Sequence, residues 1–162
     1  MVGIECDIVA GLRFIDDAFP LVITVSAPVF DAKEVQSMAD GFERYFARGE
    51  RYAVLTTSPR NAAVPAHLER KLIGDWANHP RIRDFSKRLC IGSATVVHNT
   101  LSRAALSIIM AIWRPPSPFE IVPSLERGLD YCLKRIREER LPTTKSLDLV
   151  RYEMLALLKD DY

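Results

Sequence analysis

The sequence predicts an α/β fold: a mostly parallel sheet of four to five strands with helices packed on it, plus an extra C-terminal helix. Short apolar runs alternate with stretches of 3.6-residue period along most of the chain. The segments between strands are long enough for right-handed helical crossovers, which parallel pairing requires. Leu21 to Ser26 is almost continuously apolar, as befits a central strand covered on both faces. On this reading residues 1–141 form the α/β domain and 142–162 a helical extension.

The elements follow in order. "GLRFIDDAFPLVITVSA" reads as a strand, a turn at Asp16-Asp17 and a second strand, so the sheet starts with an antiparallel hairpin. Asp31 is a fitting N-cap for a helix whose body runs from Lys33 to Arg48, with Val35, Met38, Ala39, Phe42 and Phe46 on one face. Gly49 stands where a left-handed C-cap belongs. Tyr52 to Thr57 is the next strand, closed by Ser58-Pro59. A helix follows, opened by Pro65 in its first turn and turning Leu68, Leu72, Ile73 and Trp76 inward; after Pro80 it continues as a short second helix. "LCIGSATVV" is a strand with small residues at its centre.

"HNTLSRAALSIIMAIWR" is an apolar helix capped by Asn99 or Thr100. Its greasiest part, Ala104 to Trp113, is about half the length a membrane-spanning helix needs, so it reads as a buried cover over the sheet, with Leu106, Ile108, Ile109 and Ile112 inward. Pro115 and Pro116 end it, because proline cannot donate to the helix ladder and disfavours helical geometry before it. "FEIV" is a short strand, and a helix capped by Ser124 turns Leu125, Leu129, Cys132, Leu133 and Ile136 inward. In the extension, Leu147, Val150, Met154, Leu157 and Leu158 share a helical face. That face either folds back over the sheet or joins two copies in a homodimer.

The 162 residues carry 22 basic and 21 acidic side chains, so no global field draws the chain to nucleic acid or an anionic membrane. Three scattered cysteines do not make a disulfide framework and suit a reducing cytoplasm. No transmembrane segment or signal peptide is expected. Histidines 67, 79 and 98 lack metal-ligand spacing, and no nucleophile elbow, phosphate loop or dinucleotide fingerprint occurs. The expectation is a protein without enzymatic activity, metal or cofactor. Two surfaces stand out. Arg70, Lys71, Arg81, Arg83, Lys87 and Arg88 outnumber the acids around them and form a candidate anion patch. Ile108, Ile112 and Trp113, beside "RPPSP", form a candidate apolar-ligand or partner surface.

The segments "FPLVITVSAP", "FARGERYAVLTTSPR", "GSATVV", "RAALSIIMAIWRPPSPFEIV" and "LERGLDYCLKRI" together resemble the small bacterial STAS/CRAL-TRIO-like (SpoIIAA-like) proteins, over roughly residues 10 to 140. The resemblance implies a regulatory or protein-interaction module. It also implies a phosphorylatable residue in the loop after a central strand, which makes Thr57 and Ser58 a candidate phospho-switch or partner loop. The acid and glycine of that loop are missing here, and Pro59 alters its turn. CRAL-TRIO relatives bind lipids between sheet and helices, so a lipid-like ligand is the alternative expectation.

Overall fold

The computed structural model describes residues 8–9, 11–60, 62 and 65–159, with the backbone alone at 8, 9, 109 and 113. Among these residues the strands are β1 (Ile8–Val9), β2 (Leu12–Ile15), β3 (Leu21–Val25), β4 (Tyr52–Thr57), β5 (Cys90–Val96) and β6 (Phe119–Val122). The helices are α1 (Ala32–Arg48), α2 (His67–Asn78), α3 (Pro80–Leu89), α4 (Thr100–Trp113), α5 (Leu125–Glu138) and α6 (Leu147–Leu158). The sheet runs β1-β2-β3-β4-β5-β6 and is mixed: β1/β2 and β2/β3 pair antiparallel, and the three remaining pairs are parallel. The α/β class and the leading hairpin agree with the sequence reading. The sheet is wider than expected by the two-residue β1, which is too short to leave a periodic signal.

Local chemistry fixes the helix ends. The Asp31 carboxylate accepts from the backbone N–H groups of Lys33 and Glu34, and Gly49 ends α1 at φ 68°. Asn99 caps α4 by accepting from the Ser102 N–H, and Ser124 caps α5 by accepting from the Arg127 N–H. Helix α2 departs from expectation: it begins at His67 after Ala66, so Pro65 lies before the helix, and Ala66 offers no side-chain cap.

Each face of the sheet carries its own core. On one side Ile23, Leu55, Ala94 and Val122 pack against Leu129, Cys132 and Ile136 of α5 and against Val150, Met154 and Leu158 of α6. Fully burying each large aliphatic contributes about 1.5–3 kcal/mol. The extension is therefore part of this body, folded back on α5 and tied by an Arg151–Asp130 ion pair. Val150, Met154 and Leu158 are spent in their own chain's core, which corrects the expectation that the five-residue face joins two copies; Leu157 alone of the five is exposed.

On the other side the core is aromatic. Phe14, Tyr45, Phe46, Tyr52 and Ile82 are buried, with Phe42, Trp76 and Phe85 packed on them. Phe46 and Phe85 stack with centroids 4.8 Å apart, fastening α1 to α3. Leu68 and Leu72, expected inward, are exposed, because α2 meets α1 and α3 rather than the sheet.

The largest departure is α4. Consecutive parallel strands that advance in one direction place their right-handed crossovers on one side, which assigns α4 to the side of α1–α3. Its contact with the sheet is made at β6. Leu101, Ile108 and Ile112 are 81%, 65% and 80% exposed. The expectation of a buried cover with Ile108 and Ile112 inward is overturned. Leu106 and Met110 are half-buried, the other described apolar side chains of α4 face water, and the Ile109 side chain lies outside the described residues. No helix of the described residues is long and apolar enough to cross a membrane.

Candidate functional site

Because α4 does not lie across the sheet, a cleft of about 170 Å³ opens between the α1–α3 side and strands β4–β6. Phe42, Phe46, Trp76 and Phe119 give it aromatic walls, and the turn Pro115–Ser117 after α4 lines it as well. Hydroxyl groups line it from the strands: Thr56 on β4, Ser93 and Thr95 on β5. The β4/β5 register shifts between Tyr52 and Ala53, and this irregularity allows Cys90 and Ser93, three residues apart, to face the same side. Thr56 accepts a hydrogen bond from Thr24 at 3.1 Å, which keeps its own O–H proton available, so Thr56, Ser93 and Thr95 all offer a hydroxyl on the strand side.

Among the described residues, no acidic, basic or histidine side chain lines the cleft. Burial pushes the Cys90 thiol above its ordinary pKa, outweighing the lowering by hydrogen bonds from the Ser117 side chain and the Gly92 backbone. A protonated thiol is a poor nucleophile. Burial raises the Cys132 thiol likewise, and its Sγ donates to the Val54 carbonyl. The arrangement suits an uncharged guest: rings to stack on, and hydroxyls to bond one polar edge.

The second surface is the outer face of α4. Leu101, Ala104, Ala105, Ile108, Ala111 and Ile112 recur at helical spacing and all face solvent. Arg103, the helix's sole charged side chain, turns back to donate to the carbonyls of Val97 and His98. Large uninterrupted apolar stripes on a surface mark contact sites.

The other sequence-read positions fare unequally. Thr57 is 1% exposed, so its hydroxyl is closed to a modifying enzyme and this half of the phospho-switch expectation is corrected. Ser58 is half-buried and lies eight residues before the Ala66 cap of α2, so it is not part of that helix's first turn, where a phosphate would be favoured. Most members of the basic patch have partners within the chain. Arg70 donates to the Pro65 carbonyl and Arg83 to that of Arg114, while Lys71, Arg81 and Arg88 pair with Asp75, Glu43 and Asp84. Lys87 is exposed at the end of α3. These pairings offset part of the positive charge of the expected anion patch, whose paired members Lys71, Arg81 and Arg88 remain at the surface. The Trp113 side chain lies outside the described residues. Phe42, Phe46 and Trp76 were legible only as core, and nothing in their spacing signals a cleft.

Fold and surfaces together define an α/β domain with a mixed sheet, an uncharged aromatic cleft and an apolar helix standing in solvent. Comparison of the chain with protein-family models, curated protein sequences and solved structures finds no match in any of the three.

Proposed function

We propose that this chain is a non-enzymatic, STAS-like interaction module that works in the cytoplasm and engages a protein surface through the outer face of α4. The carrying observation is that Leu101, Ile108 and Ile112 stand in water on one uncharged stripe. Leaving three large aliphatics exposed forgoes about 1.5–3 kcal/mol apiece, which a contacting surface recovers. The resemblance to SpoIIAA-like regulators supports the same reading, as does the raised pKa of both described cysteines. The test is a photo-crosslinking residue at position 108 in living cells, with position 71 on the ion-paired surface of α2 as control. Adducts to one or a few proteins through 108 alone support the reading. Indiscriminate labelling, or none, overturns it.

The cleft favours a second reading, a carrier or sensor of a small apolar ligand. A volume of about 170 Å³ is close to that of a cavity that holds benzene, so the guest is nearer one ring than a full acyl chain. Native mass spectrometry of protein purified from cells would reveal a retained neutral guest. A spectrum of bare protein, with no binding of phenol by titration, rules this reading out.

A further inference from the structure

We infer that the partner of α4 is a second copy of this chain, the two α4 helices packing antiparallel about a two-fold axis. This rests on the reading of α4 as the contact element and adds the identity of what covers it.

The stripe is self-complementary. Leu101 and Ala105 are four residues apart, and so are Ile108 and Ile112. A two-fold axis crossing the helix midway between Leu106 and Ser107 sets Leu101 against the partner's Ile112, and Ala105 against the partner's Ile108. A large side chain then meets a small one at the centre, where helices approach most closely, and large meets large at the ends. A two-fold contact demands this reciprocity, since each patch must fit its own image. An unrelated partner does not require it.

Electrostatics agree. No charge lies on the stripe, so two copies meet without like-charge repulsion. Antiparallel packing places the positive N-terminal end of each helix beside the negative C-terminal end of the other. With Leu101, Ile108 and Ile112 mostly in water, the paired faces remove on the order of 1,000 Å² from solvent, near the floor for a specific interface. The expected dimer is therefore modest, with a Kd of micromolar order.

The experiment uses the full chain. Sedimentation velocity across a concentration series should show a reversible monomer–dimer equilibrium, and Ile108→Glu should weaken it at least about 100-fold, because each carboxylate would be buried against the partner's alanine at position 105, beside the like charge across the two-fold axis. Far-UV circular dichroism checks that Ile108→Glu stays folded. Register is read by disulfide trapping in a Cys6→Ser background. Leu101→Cys mixed with Ile112→Cys should give a crosslinked heterodimer. Each alone should not, since like positions lie about 16 Å apart along the axis, beyond disulfide reach. A monomer at all concentrations, a dimer that Ile108→Glu leaves intact, or efficient crosslinking of either single variant overturns the inference. If the chain stays monomeric while photo-crosslinking through position 108 captures a different protein, the interaction reading stands and only the second copy is rejected.

Discussion

Gly41 lies edge-on against the Phe14 ring: a Cβ built on it would stand 2.2 Å from two ring carbons. This is where α1 comes down on β2, and Phe14 is itself hemmed by Phe42 and Tyr45. Alanine normally gains about 1 kcal/mol over glycine inside a helix. Here the gain is reversed, because the ring has nowhere to go. Gly41→Ala should destabilise by about 1–3 kcal/mol, read as a lower midpoint in urea with unchanged slope. A variant as stable as the parent would show that α1 can lift from the sheet at no cost.

The two apolar helices should respond oppositely to truncation. Leu129 on α5 is fully buried, so Leu129→Ala is expected to cost about 2–5 kcal/mol. Ile112 on α4 is 80% exposed, so Ile112→Ala should stay within about 0.5 kcal/mol, measured at dilutions where the chain is monomeric. Equal losses at the two sites would mean that α4 is covered in the monomer after all.

Glu34 gives the fold a pH-dependent element. It is 5% exposed, and burial, with Asp31 adding to it, raises its carboxyl above the ordinary value against the lowering hydrogen bond from the Leu12 N–H. The folded chain then holds this proton more tightly than the unfolded chain does. Its stabilising contribution is complete below the unfolded carboxylate pKa and is lost as pH rises through the raised one. Glu34→Gln stays neutral throughout. The stability of the variant relative to the parent should improve between about pH 4 and pH 7. Denaturant melts across that range check it, and a difference independent of pH counts against the assignment.

The cleft is tested by filling it. Ser93 is half-buried and turns its hydroxyl into the open volume. Ser93→Leu has room to enter, so it should cost less than the 1–3 kcal/mol usual for overpacking while weakening the binding of phenol at least about tenfold. Trp76 lines the same volume and reports the titration by its fluorescence. Undiminished binding in Ser93→Leu would place the ligand elsewhere.

Much of the fold was legible because local rules decide it. Asp31, Asn99 and Ser124 announce helix starts by chemistry that acts within three residues, and the inward face of α5 was read from spacing alone. What was not legible is coverage. The composition of α4 says how much apolar surface it carries, and says nothing of whether a neighbour lies over Ile108 or Ile112. The same gap misplaced Leu68 and Leu72, whose periodicity is sound but whose helix packs away from the sheet. The cleft escaped for a related reason. Phe42, Trp76, Ser93 and Phe119 come from four elements, and only the shifted β4/β5 register together with the displaced α4 brings them to one opening.

The rings of Phe14, Phe42, Tyr45, Phe46, Tyr52, Trp76 and Phe85 form a connected array on one side of the sheet, neighbouring centroids 4.8 to 6.4 Å apart. The opposite core is aliphatic, with Tyr131 at its margin. Asymmetrically coupled chromophores generate near-ultraviolet dichroism, and aliphatic side chains generate none. The near-ultraviolet spectrum is thus dominated by one half of the molecule, able to report loosening around α1–α3 while the α5–α6 half, whose helices carry only Tyr131 and Tyr152, stays intact and adds little.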